Sequence, residues 1–373
     1  MYQRVLIKMN KLIKNNLHLK NLSRVRIPEN RDLLNGLRLN RNEKVSSWEN
    51  DILKKIFDEK PGNFLSIYPD LSSLYSKISK FCNIDEKNIL VTSGIDGAIK
   101  TIWDLGANKG DKVGILSPTY AMYYVYNKIF QTELIEVGYN PDNRKLIWNE
   151  LIKCIEEKPA ILFLPNPNQP IEDNLTLEMI IEVLEISDKT ETLVVLDEAY
   201  FMFGQKSAID LIDSYDNLIV MRTLSKGFGL PSIRIGFMAS NEKNMEILNK
   251  TRFAHEANSL NISVAEYFLD NIKIIYDYNN EVVGAKDQLN KILSDIGIDS
   301  YGEYGNYLLI DLLDKDKCRN AVSFFEKNKI YVKGNWSEPW SKYCLVTVGP
   351  LEEMDRFIDA IKTAQVKYNI FKA

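Results

Sequence analysis

Between residues 88 and 240, short apolar runs rich in β-branched residues alternate with segments of helical period, and this alternation constrains the fold more than any other feature of the chain. The runs are NILVTS, KVGILS, ELIEVGY, AILFLP, TLVVLDE, NLIVMRT and RIGFMAS. Between them IDGAIKTIWDL, YAMYYVYNKIF, LIKCIEE and LEMIIEVLEI place apolar side chains three or four apart, as helices do when they bury one face on a sheet. The pattern predicts a parallel sheet wound with helices. After residue 265 the order changes to a long helical stretch, then GNYLLIDLL, a helix at NAVSFFEKN, the strands IYVKG and YCLVTVG, and a closing helix from Glu352. That is a smaller α+β unit, completed by the N-terminal segment. At 373 residues the chain exceeds the size at which a single core stops growing, so two domains are expected.

Composition narrows the function classes. With 47 basic and 51 acidic side chains the net charge is only −4, which gives no electrostatic case for a nucleic-acid partner. A small-molecule ligand is expected instead. The basic opening MYQRVLIKMNKLIKNN has an apolar run too short and interrupted for a secretory signal or a membrane span, and reads as a surface or dimer-capping helix. Cys82, Cys154, Cys318 and Cys344 are far apart and form no C-x-x-C pair, so neither a metal cluster nor a disulfide framework is expected, and a reducing cytoplasm fits. His18 and His255 are the only histidines and neither sits in a partner motif, so both are expected to be structural.

In open α/β sheets ligands bind beyond the carboxyl ends of the strands, so the polar residues closing each apolar run carry the functional argument. In VTSGID, Ser93 and Gly94 turn the chain off a strand, and Ile95 and Asp96 open a helix whose free N–H groups suit a phosphate. In VVLDEAY, Asp197 ends a strongly apolar strand and Tyr200 follows three residues later. A carboxylate there needs a partner against desolvation; capping a helix is one reading, and pairing with a protonated ring nitrogen is the other. The most specific segment is MRTLSKGFGLPSIRIG, where Lys226 follows a strand and the hydroxyl residues Thr223 and Ser225, and Arg234 comes eight positions later. Positive neighbours and partial desolvation near a sheet edge lower a lysine's pKa and suit it to imine chemistry. Thr223, Ser225 and Arg234 supply donors for a phosphate, Arg234 with a planar fork. A surface lysine in a Gly-rich loop is the plain alternative, and the agreement of the other motifs argues against it.

Together with LNRNE (Asn42, Glu43), IYPD (Tyr68, Pro69), SPTYAMYYVY (Tyr120), PNPNQP (Asn166 to Pro170), RFAHEANSLN (Asn258), GNYLLI (Asn306) and VTVG, these segments follow a known order. From about Leu39 to Asp355 the chain resembles the fold-type-I aminotransferases dependent on pyridoxal 5'-phosphate (PLP), and within them the histidinol-phosphate aminotransferase family. The resemblance implies an α/β fold: a large PLP-binding domain, taken as 46–264, with a mostly parallel sheet flanked by helices, and a small α+β domain, 265–373. Residues 1–45 would join the small domain and the interface of a homodimer. By the same resemblance Lys226 carries PLP as a Schiff base and shuttles the proton, Asp197 pairs with the pyridine nitrogen, Tyr200 bonds the ring oxygen and Tyr120 stacks on the ring. Ile95, Asp96, Thr223, Ser225 and Arg234 would hold the cofactor phosphate, with Tyr68 reaching in from the other subunit. Asn42, Tyr68 and Lys333 fall on the substrate side.

Three departures from the family pattern bear on function. Where the family reads Asn-Pro-Thr-Gly, this chain reads Gln169-Pro170-Ile171-Glu172, so either Gln169 or Asn168 would bond the ring oxygen. Lys333 replaces an arginine that helps bind a substrate phosphate, keeping the charge but losing the fork. Leu345 stands where the family carries the arginine that clamps an α-carboxylate. The expected function is transfer of nitrogen between an amino donor and a small phosphorylated ketone or amine. The alternative is decarboxylation of a phosphorylated amino acid such as O-phosphoserine or O-phosphothreonine. A non-catalytic PLP-binding regulator would have no need of Lys226, and its presence with Asp197, Tyr200 and Arg234 argues against that third reading.

Overall fold

The structure, a computed structural model, describes residues 18, 19, 22, 31–58 and 60–370; the helix expected over MYQRVLIKMNKLIKNN lies outside them. The strands are β1 (Leu37–Arg38), β2 (Ile89–Thr92), β3 (Lys112–Ser117), β4 (Glu133–Gly138), β5 (Ile161–Pro165), β6 (Leu193–Asp197), β7 (Leu218–Thr223), β8 (Gly236–Ala239), β9 (Ser300–Tyr301), β10 (Tyr307–Asp311), β11 (Ile330–Tyr331) and β12 (Tyr343–Thr347). The helices are α1 (Ile52–Phe57), α2 (Ser72–Cys82), α3 (Gly94–Gly106), α4 (Ala121–Phe130), α5 (Trp148–Glu156), α6 (Leu177–Lys189), α7 (Glu242–Leu248), α8 (Ser259–Asp270), α9 (Ile272–Asp295), α10 (Lys315–Lys327) and α11 (Leu351–Tyr368). Every apolar run singled out in the sequence is a strand, and every helical-period segment a helix.

The seven expected strands form one sheet in the order β2-β8-β7-β6-β5-β3-β4. Only β8 runs against the rest, pairing antiparallel with β2 and β7. Both faces of the sheet are covered, and the strand residues divide by parity. Ile161 and Phe163 of β5, Val195 of β6, and Ile219 and Met221 of β7 pack under α3 and α4, with Trp103 and Tyr123. Leu162 and Leu164, Val194 and Leu196, and Leu218 and Val220 face the other layer. That double burial explains why these strands read as continuous apolar runs instead of alternating ones. Parallel pairing also brings the carboxyl ends of β5, β6 and β7 into line, with Pro165 opposite Asp197 and Asp197 opposite Met221.

The smaller unit is an antiparallel sheet, β12-β10-β9, packed against α9, α10 and α11. The N-terminal segment joins it: β1 pairs in parallel with β11, and Leu39 exchanges backbone hydrogen bonds with Tyr331 and Thr347. A buried polar clamp ties the two units together. Glu172 accepts the backbone N–H groups of Glu303 and Tyr304 at 2.7 and 2.6 Å. Within the small unit, Lys286 of α9 steadies that loop by donating to the carbonyls of Glu303 and, at 2.8 Å, Gly305. Tyr307 then donates to the carbonyl of Asn168 at 2.7 Å.

Next to the end of β6, Glu198 and Arg222 form a buried ion pair at 3.0 Å with side chains 4% and 6% exposed. Ser207 and the N–H of Ala208 complete the carboxylate's partners. Removing one member of such a pair strands the other charge in a dry site. Arg222→Met should therefore cost about 3–5 kcal/mol, measured by urea unfolding. A loss below about 1 kcal/mol would show that Glu198 escapes to water or takes up a proton without strain.

Candidate active site

A cavity of about 730 Å³ opens where the carboxyl ends of β5, β6 and β7 meet the small unit and the N-terminal segment. It is lined by Asn42, Ile95, Asp96, Tyr120, Asn168, Gln169, Asp197, Tyr200, Thr223, Ser225, Lys226, Arg234 and Lys333. The residues to which the resemblance gives a cofactor or substrate role are therefore brought together, except Tyr68. That ring is 82% exposed and stacks on His255, with centroids 4.6 Å apart.

Lys226 leaves β7 three residues after Thr223, and its Nζ donates to the carbonyl of Arg41 at 2.7 Å. Burial pulls its pKa down to about 8, assisted by the charges of Lys333 and Arg234 and opposed by Glu43 and Asp197. A much larger fraction of the amine is therefore neutral, and nucleophilic, near neutral pH than for a solvated lysine.

Asp197 is 5% exposed. Its Oδ1 accepts the N–H of Ala199 at 3.0 Å and its Oδ2 accepts the hydroxyl of Tyr123 at 2.8 Å. Burial raises its pKa to about 6; those two hydrogen bonds oppose the rise, and the charges of Asp96 and Glu198 add to it. Tyr200 is held by Asn42, whose Nδ2 donates to its hydroxyl oxygen at 2.7 Å. Burial pushes the Tyr200 phenol well above its ordinary range, so it keeps a proton to donate. The amide of Asn42 is engaged at both ends, since its Oδ1 accepts from Thr347 at 3.0 Å. It thus supports Tyr200 while lining the cavity, with the second N–H of its amide not used in either bond.

Beside the N-terminus of α3 lies a set of anion donors. Thr223 and Ser225 hydroxyls stand 3.0 Å apart, Arg234 Nη1 is 3.4 Å from Ser225 Oγ, and its Nη2 is 3.4 Å from Asp96. Tyr120, which lines the cavity, donates to the other oxygen of Asp96 at 2.9 Å. Gly94 adopts φ +64°, and a Cβ there would stand 2.6 Å from Arg234 Nη2, so a side chain would fill the cradle.

The three departures each take a definite form. Asn168 is fully buried and committed to structural partners: Thr119, in the turn after β3, donates to its Oδ1 at 2.7 Å, and its Nδ2 donates to the carbonyls of Pro118 in that turn and Ile171 in its own loop. Gln169 is half-buried on the cavity wall, so of the two amides left open by the sequence it is the one with groups to spare. Leu345 is fully buried and pairs backbone to backbone with Lys333, at 2.7 and 3.0 Å. The Lys333 ammonium reaches the cavity and, among the described residues, has no carboxylate partner; burial lowers its pKa. Sequence reasoning missed Tyr123 as a contact of Asp197. Its spacing from Tyr120, one turn along a helix that packs on the sheet, is the signal that was overlooked.

The sequence profile of aminotransferase class I and II matches residues 37–361. The chain belongs to that family. A histidinol-phosphate aminotransferase of Thermoanaerobacter pseudethanolicus is 33% identical over 329 residues, 87% of this chain and 92% of that protein. A dihydroxyacetone phosphate transaminase of Campylobacter jejuni is 30% identical over 303 residues, 80% of this chain and 82% of its relative. The crystal structure of histidinol-phosphate aminotransferase from Sinorhizobium meliloti in complex with pyridoxal-5'-phosphate shares the fold, with a TM-score of 0.81 at 20% identity over 89% of this chain and 91% of that one. The chain is thus an aminotransferase, and PLP is the cofactor of its family. The cavity fits that group: an anion cradle that a Cβ would fill, a dry carboxylate beside it and a lysine of lowered pKa are the three features such a cofactor requires.

The lowered pKa makes a prediction that needs no cofactor. In stripped protein, acylation of Lys226, followed by mass spectrometry of its peptide, should rise with pH around a midpoint near 8 instead of 10.5. Lys333→Met should move that midpoint upward by removing a like charge. A midpoint near 10 would contradict the environment described.

Proposed function

We propose that this aminotransferase moves an amino group from a donor amino acid to a small phosphorylated ketone. The observation that carries the reading is Lys333, a half-buried ammonium that shares a cavity with Lys226 and, among the described residues, has no carboxylate partner. A cation partly withdrawn from water in that condition is stabilised by an anionic ligand. Two relatives act, by name, on phosphorylated compounds, one being dihydroxyacetone phosphate, a ketone without a carboxylate. Leu345, which offers no donor, is compatible with an acceptor of that kind.

When bound, PLP supplies an aromatic electron sink for the charge left as a proton leaves the carbon that bears nitrogen. Asp197 would hold the proton on the ring nitrogen, which is what keeps the sink effective. Tyr200 and Gln169 would hydrogen-bond the ring oxygen, and Tyr120 would cover one face. The N–H groups of Ile95 and Asp96, with Thr223, Ser225 and Arg234, would bind the phosphate, while the Asp96 carboxylate stays with Arg234 and Tyr120. Lys226 Nζ, neutral in a useful fraction at pH 7–8, would take the proton from one carbon and return it to another.

Tyr68 belongs in this scheme if it comes from a second copy of the chain, since it is exposed and outside its own cavity. Leu65, Ile67 and Phe253 are exposed at 74%, 60% and 76%, an apolar surface suited to a homodimer. We keep 46–264 and 265–373 as the working domain division, with residues 1–45 attached to the second. The four cysteines are buried and unpaired, which suits a reducing cytoplasm. No helix among the described residues is long and apolar enough to cross a membrane.

Incubation with L-glutamate or L-alanine and a panel of phosphorylated ketones, with products identified by mass, tests the reading. A 2-oxo acid and a phosphorylated amine should form in equal amounts. Release of carbon dioxide from O-phosphoserine or O-phosphothreonine, with no transfer of nitrogen, would replace this reading by a decarboxylase. Lys226→Ala should abolish turnover. Lys333→Ala should raise KM for the phosphorylated acceptor by tenfold or more, on the order of 1.4 kcal/mol, with kcat little changed. An unchanged KM would remove the basis for a phosphorylated substrate.

A further inference from the structure

We propose that Tyr123 is a positioning residue for Asp197, its buried hydroxyl holding the carboxylate ionised and fixed for the cofactor ring nitrogen. The inference rests on the role given to Asp197 above and adds a residue that acts through it.

Tyr123 lies in the first turn of α4, fully buried, with its ring against Phe163 of β5 at 5.0 Å. Its hydroxyl is 2.8 Å from Asp197 Oδ2, and both groups are out of water. The other carboxylate oxygen has one donor, the N–H of Ala199. Among the described residues no cation is bonded to Asp197, so the phenol is its one side-chain donor.

The charged and titratable groups around Asp197 do not favour its ionised form in sum. Asp96 and Glu198 repel it, and each is matched to a different cation, Asp96 to Arg234 and Glu198 to Arg222. Tyr120 and Tyr200 are protonated neighbours whose phenols Asp197 itself pushes upward. Lys226 is the remaining nearby cation, and it is the group that becomes neutral near pH 8. Burial and like charge thus press Asp197 towards its neutral form, and the Tyr123 hydrogen bond acts in the opposite direction. A hydroxyl bonded to a charged partner in a dry site is worth a shift of about one to two pH units.

A protonated ring nitrogen can pair with Asp197 only after the carboxyl has lost its own proton. Below the midpoint of Asp197, affinity for the cofactor therefore falls by about tenfold per pH unit. Removing the hydroxyl raises that midpoint. At higher pH, where Asp197 is ionised in either protein, the loss vanishes.

The test is the dissociation constant of PLP from stripped protein, measured by fluorescence quenching between pH 5.5 and 8.5 in wild type, Tyr123→Phe and Asp197→Asn. Titrations of PLP itself are common to all three and cancel. Tyr123→Phe should bind within about threefold of wild type at pH 8.5 and about tenfold more weakly at pH 6.5, its acid limb displaced upward by at least one unit. A uniform loss at every pH, or a profile superimposed on wild type, overturns the proposal and leaves Tyr123 as packing. If Asp197→Asn binds as wild type does, the role of Asp197 fails, which is a different result from failure of Tyr123 alone. Should Tyr123→Phe not fold, 3-fluorotyrosine placed at position 123 serves instead. As a stronger donor it should move the acid limb downward, and an unmoved limb overturns the proposal equally.

Discussion

A carboxylate without water at the end of β6 sets conditions for everything around it. Asp197 is pushed towards its neutral form by burial and by two acidic neighbours, yet the chemistry proposed for it requires the charge. The surrounding groups can be understood as answers to that conflict. Arg222 takes up Glu198, Arg234 takes up Asp96, and Tyr123 bonds the carboxylate itself. Each compensation comes from a different element, which spreads the dependence of one functional group over β7, α4 and the turn before β8.

The sheet makes this convergence possible. Parallel strands end together, so side chains distant in sequence arrive at one edge at fixed spacing. Residues after the strands then carry local strain to aim their groups. Arg234 adopts φ +51° and Asn42 φ +52°, both in the left-handed region, where a side chain is disfavoured. For Asn42 the cost is small, because a short amide tolerates that conformation. For Arg234 it is larger, and the gain is a guanidinium directed at Ser225 and Asp96 over the backbone of Gly94.

Much of this was legible in the sequence, for a physical reason. Six of the seven strands of the main sheet are buried along nearly their whole length, and only the edge strand β4 is wetted, so most lack the ambiguity of a half-exposed strand. The polar residues that interrupt them, Asp197, Thr223 and Lys226, stand out because nothing apolar requires them there. Less was visible where a residue's role depends on what the fold brings opposite it. The two-residue strands Leu37–Arg38 and Ser300–Tyr301 have no periodicity to detect. Asn168 and Gln169 are adjacent amides of similar chemistry, and only the positions of Thr119, Pro118 and Ile171 show that one is committed and the other is not. Tyr123 looks like another core aromatic until the end of β6 is placed above it. Asn42, expected on the substrate side, lines the cavity and there also bonds Tyr200 and Thr347, two contacts that only the fold brings to it.

The clamp at Glu172 has a mechanical consequence. Its carboxylate is buried, with one oxygen bound to two amides of the 302–306 loop and the other without a partner among the described residues. Any rotation that swings the small unit away from the large one at this point must strip that carboxylate of its donors, in a loop that Lys286 holds from within the small unit. The joint is therefore stiff on the side of Glu172.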